Sequence, residues 1–296
     1  MSRPENAAQQ WISHRIIGEG TATHVAEVGS DEKPAIVFLH GWPQSWAAFA
    51  KVMISLRMEA HVVALDLPGI GGSTTPPSRN DKRALAEHVR TVIGSLGLTK
   101  VTLVGHDIGG MIVYAYLHAY PGELERAAIL NAVIPGVAPW DRVVRNPHFW
   151  LFAFHAVPDL PEELVSGRQL EYFRYFYKTI AASPDGVRLQ DRPTYADAYS
   201  LPEALHTGFE WYRAFPQDEK DNAAVKGDAV LTPVLYVRGD HDAGTMGPYL
   251  QGLRENGLEN VVGRVIPNCG HFSLDEQPEL VAAALREFMK ASPSSG

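Results

Sequence analysis

The chain has one cysteine, Cys269, in 296 residues. A lone thiol forms no internal disulfide, so nothing in the sequence speaks for an oxidising compartment. Long apolar runs are missing too: no stretch reaches the ~18 residues of a membrane span. The first residues, MSRPENAAQQWISHRIIGEG, hold no apolar core of signal-peptide length. The expectation is a cytoplasmic protein with no membrane partner. Basic charge is short as well. With 26 Lys and Arg against 34 Asp and Glu, the net charge is −8, which argues against nucleic acid as a partner. The twelve histidines are scattered, and none belongs to an H-E-x-x-H or other ligand-spaced cluster. No metal and no cofactor are therefore expected, and a homodimer is left open.

What is present is ordinary globular composition, 45% hydrophobic and 20% charged. Residues Trp11 to Ile17 and Thr21 to Val28 alternate around Gly18, Glu19 and Gly20, which reads as a hairpin. AIVFL (Ala35 to Leu39), HVVAL (His61 to Leu65), Val101 to Val104, RAAIL (Arg126 to Leu130), PVLYV (Pro233 to Val237) and Val261 to Ile266 read as further strands. Helical patterns lie between them. Ser45 to Leu56 has Ser45 as its candidate N-cap, and Leu85, Val89, Val92, Ile93 and Leu96 share one face before a stop at Gly97. Leu280 to Phe288 forms the closing amphipathic helix, and the tail ASPSSG is expected to be loose.

Strands alternating with helices imply a mostly parallel, doubly wound sheet, whose active residues sit on loops at the carboxyl ends of strands. The alternation stops between 135 and 230, where aromatic residues and proline become dense. Leu170, Phe173, Phe176, Tyr177 and Ile180 keep helical spacing, as do Leu205, Phe209 and Tyr212. Most of these aromatics read as packing. The expected organisation is a core of residues 1–134 and 231–296, with a helical cap of 135–230 inserted after the sixth strand.

The chemistry centres on VTLVGHDIGG, residues 101–110. A short strand, a glycine-rich turn and an apolar run from Met111 to Leu117 make the pattern of a nucleophile elbow, with Asp107 at its tip. Gly105 and Gly109 flank Asp107 where a strained bend leaves no room for side chains. G-x-D-x-G alone is a weak signal, because Asp and Gly favour ordinary turns. Two later loops strengthen it: an acid in GDHD (Asp240 or Asp242) and His271 in CGHF, each after an expected strand. The order nucleophile, acid, histidine is that of the α/β-hydrolase fold. Of the two acids Asp242 is preferred, as the one further along the loop toward His271.

An aspartate nucleophile displaces at carbon and forms an ester of its own carboxylate, which must then be hydrolysed. His271 would activate the water for that step, and backbone N–H groups of Trp42, in HGWP, and Ile108 would form the oxyanion hole. Displacement at carbon leaves epoxides and alkyl halides as substrate classes. An epoxide needs an acid beside its leaving oxygen, and Tyr212 in GFEWYRAF is the candidate. A halide needs N–H donors instead.

HGWP, DLPGIGGS, GHDIGG, WLFAFHAVPDLPEEL, GFEWYRAF and CGHF together resemble the epoxide hydrolases of the α/β-hydrolase fold, most strongly the bacterial group that includes the Cif-like enzymes. The resemblance covers nearly the whole chain. It implies Asp107 as nucleophile, His271 as base, Tyr212 as ring-opening acid, Trp42 in the oxyanion loop, and an epoxide and water as reactants. A second cap Tyr or His is usual in these enzymes. The matching position here is Leu151, with Trp150 or His155 as substitutes, or Tyr212 acting alone. Trp150, Leu151, Phe154 and His155 are expected to touch substrate, as is Asn131. Asn131 stands where the Cif-like group carries its acid, which leaves that part to Asp242. Haloalkane dehalogenases usually carry Trp after the nucleophile, where this chain has Ile108. Fluoroacetate dehalogenases carry arginines there, where this chain has Ile108 and Met111. A haloalkane or haloacid dehalogenase is therefore the enzymatic alternative. A ligand-binding protein of the same fold without turnover is the other.

Overall fold

The computed structural model describes residues 11–18 and 22–291. Glu19 and Gly20 of the expected hairpin turn, and residues 292–296 of the expected loose tail, lie outside the described residues. The eight strands are β1 (Ser13–Ile17), β2 (Thr23–Val28), β3 (Ala35–Leu39), β4 (His61–Leu65), β5 (Thr102–His106), β6 (Arg126–Leu130), β7 (Val234–Gly239) and β8 (Val261–Ile266). They form one sheet in the order β1-β2-β4-β3-β5-β6-β7-β8. The β1–β2 and β2–β4 pairs are antiparallel, and every other pair is parallel. This is the α/β-hydrolase architecture. Its burial pattern follows from the sequence: β3 to β7 are buried at every position, as continuous apolar runs covered on both faces must be. The edge strands β1 and β8 are mostly exposed.

Around the bend two element boundaries moved, each for a packing reason. β5 starts at Thr102 and runs through Gly105 and His106, which pair with Ile129 and Leu130 of β6, so the strand reaches the edge of the bend. The following helix is Ile108–Ala119, three residues longer at its start than the apolar run from Met111 suggests. Gly109 and Gly110 act there as small residues packed against the sheet, not as helix breakers. Ser45 does not cap a helix: its side chain makes no cap hydrogen bond, and a 3₁₀ turn, Trp46–Phe49, precedes the helix Ala50–Leu56. The helix Lys82–Ser95 is capped by Asp81, whose carboxylate accepts the Ala84 N–H at 3.0 Å, and Gly97 with φ 66° follows its end.

Between β6 and β7 the named elements are all helices, with Trp150–Ala156, Gln169–Thr179 and Pro202–Arg213 the main ones for the site. Phe173, Phe176, Tyr177, Leu205, Phe209 and Tyr212 are buried as their spacing implies. Val230 already bridges in parallel to Leu258, so the return to the sheet begins there. Among the described residues, no helix is long and apolar enough to cross a membrane. Leu103, at the middle of β5, is fully buried. Leu103→Ala is expected to cost about 2–5 kcal/mol, read from the urea midpoint at unchanged slope.

Candidate active site

Asp107 is the first residue after β5 and has φ 53° and ψ −119°, a conformation that a residue with a side chain rarely adopts. The bend is as tight as its flanking glycines imply. A Cβ on Gly105 would lie 2.1 Å from the Gly109 carbonyl oxygen, and one on Gly109 would lie 2.1 Å from that of Leu39. Only hydrogen fits at both places, so the strand, the bend and the helix approach closely enough to aim the Asp107 side chain outward.

The carboxylate is held by two backbone donors from two loops. Trp42 N–H donates to Oδ2 at 2.9 Å, and the Ile108 N–H also turns toward the carboxylate and favours its charged form. Oδ1 points toward His271, whose Nε2 is 3.9 Å away, too far for a direct hydrogen bond. One oxygen is thus seated and the other is free. Burial pushes the Asp107 carboxyl up to about 7, against the opposing pull of the two N–H donors and of the Lys82 charge.

His271 follows β8, in a loop pinned by Glu276, which accepts the N–H groups of Gly270 and Phe272 at 3.0 Å each and that of Ala182 at 2.7 Å. Its own N–H donates to the Ile180 carbonyl at 2.9 Å. Burial first, and the Arg238 guanidinium second, press the imidazole down to about 3, so it is neutral at ordinary pH. His106, one residue before the bend, donates from Nε2 to the His271 carbonyl at 2.8 Å and ties the two loops together.

Of the two candidate acids, only Asp242 borders the same cavity as Asp107 and His271. Asp240 is turned toward His241 Nδ1 (2.7 Å) and the Cys269 N–H (3.0 Å), which hold it near 2. Asp242 makes no hydrogen bond to His271. Its Oδ1 accepts the Ala243 N–H at 2.9 Å, and its Oδ2 accepts Asn131 Nδ2–H at 3.0 Å and stands 3.4 Å from Arg238 Nη2. Asn131 also donates from Nδ2 to the Gly270 carbonyl at 3.1 Å. An amide at this point offers a donor where a carboxylate would repel Asp242.

The cavity has about 580 Å³ of empty space, counting its open mouth. Its wall is mainly apolar, with Val133, Val143, Leu151, Phe152, Phe176 and Ile180 facing Asp107. Tyr212 borders it from the helix Pro202–Arg213, and its hydroxyl has no hydrogen-bond partner among the described residues. Burial and the nearby Asp107 charge raise this phenol well above its ordinary value, so it stays protonated. The hydroxyl of Tyr249, also on the wall, is committed to the Ala243 carbonyl at 3.1 Å.

Three of the residues expected to touch substrate do not border this cavity: Trp150, Phe154 and His155. The helix Trp150–Ala156 turns Leu151 and Phe152 inward. Trp150 and Phe154, four apart, pack ring to ring along another face, and Trp150 is 39% exposed. His155 is fully buried behind the rings of Trp42 and Tyr212, with Nε2 2.8 Å from the Tyr172 hydroxyl. Neither proposed substitute for Leu151 therefore offers a proton to the cavity. Sequence reasoning missed Phe176 and Arg238. Phe176 lay within a helical stripe, and the stripe carries no mark that separates a cavity wall from a packed interior.

A family profile described as the alpha/beta hydrolase fold matches residues 34–278. The chain is 32% identical over 283 residues to a soluble epoxide hydrolase of Corynebacterium sp. (strain C12), covering 93% of this chain and 96% of that one. The solved structure of the epoxide hydrolase CorEH superposes with a TM-score of 0.85 at 32% identity, over 94% of this chain and 98% of that one. A fluoroacetate dehalogenase of Burkholderia sp is 30% identical over 300 residues, covering 96% and 95% of the two chains. The chain belongs to the alpha/beta hydrolase fold family. Its likeness within that family is to the epoxide hydrolases, as its motifs imply.

A carboxylate whose value rises from 3.8 to about 7 on folding opposes folding when ionised, and this cost disappears as pH falls below both values. Asp107→Asn, which keeps the shape without the charge, is expected to stabilise the protein at pH 8 by on the order of 4 kcal/mol, several degrees in melting temperature. The gain should vanish near pH 4, as followed by thermal melts across that range.

Proposed function

We propose that this chain hydrolyses epoxides to vicinal diols through a covalent ester on Asp107. The division of labour within one carboxylate carries the reading: Oδ2 accepts the Trp42 N–H, with the Ile108 N–H also turned to the carboxylate, while Oδ1 stands beside His271. Oδ1 attacks a ring carbon, the carbon–oxygen bond of the epoxide breaks, and the departing oxygen takes the Tyr212 proton. The Oδ2 atom, already bonded to the Trp42 N–H, becomes the carbonyl oxygen of the ester and is met by the Ile108 N–H as well. Neutral His271 then removes a proton from water as that water attacks the Asp107 carboxyl carbon. The negative charge that develops on Oδ2 is met by the same two donors, each typically worth ~3 kcal/mol in such a hole. Collapse of this intermediate expels the diol, whose oxygen takes the proton from the imidazolium, and the proton left on the Asp107 carboxyl passes through water to the Tyr212 phenolate, restoring both groups.

Asp242 supplies the negative charge that steadies the imidazolium, acting across the cavity with Arg238 and Asn131 on its other sides. Tyr212 acts as the single proton donor to the ring oxygen, with Leu151 serving as apolar wall. Residues 1–134 and 231–296 form the core in this reading, and 135–230 form a cap that closes the cavity over Asp107. The mainly apolar wall suits an apolar epoxide. No cofactor enters any step. A location in the cytoplasm fits the reading and adds nothing to it.

The second reading is dehalogenation with the same nucleophile, favoured by the 30% identity to the fluoroacetate dehalogenase. Ile108 and Met111 supply no charge to grip a carboxylate beside Asp107, which sets that reading second. A panel of epoxides and alkyl halides scored for diol and for free halide separates the two. Diol without halide release is expected, and halide release without diol would reverse the order.

Two measurements test the ester itself. His271→Gln incubated with substrate should gain the mass of one epoxide on Asp107. In wild-type enzyme, a single turnover in heavy-oxygen water should leave the first diol unlabelled and put the label into Asp107. Label in that first diol would overturn the mechanism. Because Asp107 must be ionised to attack, the rate of ester formation should fall about tenfold per unit below pH 7, following one group. Rapid-quench measurements from pH 5 to 8 check this.

A further inference from the structure

Away from the reacting atoms, Lys82 and Asp218 form an ion pair with side chains only 3% and 2% exposed. Burying two charges is expensive, and a buried pair is often no more stabilising than well-packed apolar residues. Lys82 is also poorly placed for its own helix. It is the first residue of Lys82–Ser95, where the helix dipole disfavours a cation. Its contacts explain its presence. The Nζ atom donates to Asp218 Oδ2 at 2.8 Å and to the Trp211 carbonyl at 2.5 Å. Trp211 lies in the last turn of Pro202–Arg213, whose final carbonyls have no partner within the helix. The ammonium is thus a C-terminal cap for the helix that carries Tyr212.

Asp218 completes the junction. Its Oδ1 accepts the Lys82 backbone N–H at 2.7 Å, and it stands in the first turn of the next helix, Phe215–Ala224. Three helix ends therefore meet on one ion pair: the start of Lys82–Ser95, the end of Pro202–Arg213 and the start of Phe215–Ala224. A second route leads the same way. Lys82 Nζ sits 4.8 Å from the centre of the Phe215 ring, and that ring packs 5.2 Å from the Tyr212 ring.

We infer that Lys82, locked by Asp218, is a positioning residue for Tyr212, fixing the last turn of its helix so that the phenol stands over Asp107. The inference rests on the proposed role of Tyr212 as proton donor. Helix ends fray when their carbonyls are unpartnered, and a displacement of about 1 Å can cost on the order of 10²-fold in rate. The pair acts on ring opening alone, because the later attack of water on the ester needs His271 and the N–H donors but not the phenol.

The test is a mutant cycle read by rapid quench with styrene oxide, resolving formation of the alkyl-enzyme from its hydrolysis. K82M/D218L replaces the pair with apolar side chains, and circular dichroism checks the fold. Ester formation should slow at least tenfold while ester hydrolysis stays within twofold of wild type. Y212F should cost markedly fewer fold in the K82M/D218L background than in wild type, since the phenol is already misplaced. An equal loss from Y212F in both backgrounds would overturn the inference while leaving the ester mechanism standing. Should K82M/D218L fail to fold, the same cycle is run with K82Q/D218N, which keeps a neutral donor near the Trp211 carbonyl. A wild-type enzyme in which Y212F leaves ester formation unchanged would overturn the proton-donor reading and the inference with it.

Discussion

A carboxylate held out of water on a strained bend, and steadied there by the backbone N–H groups of Trp42 and Ile108, is the constraint around which this molecule is arranged. The grip requires donors from two loops, one after β3 and one after β5, so those strands must be neighbours in the sheet, and they are. The bend requires hydrogen-sized neighbours, which accounts for glycine on both sides of Asp107. Without these donors the buried charge would simply neutralise. With them it stays within reach of ionisation near neutral pH.

The rest of the polar machinery keeps charges from cancelling one another. His271 has no contact that would protonate it, and Arg238 helps keep it neutral. Asp242 is balanced by Arg238, by the Asn131 amide and by a backbone N–H. Asn131 and Asp242 are complementary: a donor on the loop after β6 faces an acceptor on the loop after β7. The Asn131 donor and the Asp242 acceptor are therefore one physical arrangement.

Opposite this polar floor lies a wall of aliphatic and aromatic side chains, and Tyr212 brings a hydroxyl that is not already committed. Leu151 and Phe152 come from one turn of Trp150–Ala156, while the neighbouring Trp150 packs outward. The wall thus surrounds the Asp107 carboxylate with apolar side chains and leaves one uncommitted hydroxyl beside it.

Most of the sheet was legible because its central strands are unbroken apolar runs of five or six residues, a pattern with few other interpretations. AIVFL, HVVAL, RAAIL and Val261 to Ile266 are strands with the boundaries read from the residues. The bend was legible because a backbone requirement writes itself as glycine, and Asp107, Asp242 and His271 because each follows such a strand. Side-chain direction within the helices was not. Leu151 borders the cavity and His155, one turn later, does not, since local spacing sets a face but not what that face meets. The sequence by itself determined the sheet, the bend and the residue at its tip, since these depend on local backbone sterics and hydrophobic runs. Only the tertiary structure decided that Asp242 pairs with Arg238 and Asn131, that Phe176 is a wall, and that Lys82 meets Asp218, because such partners are far apart along the chain and are joined by packing alone.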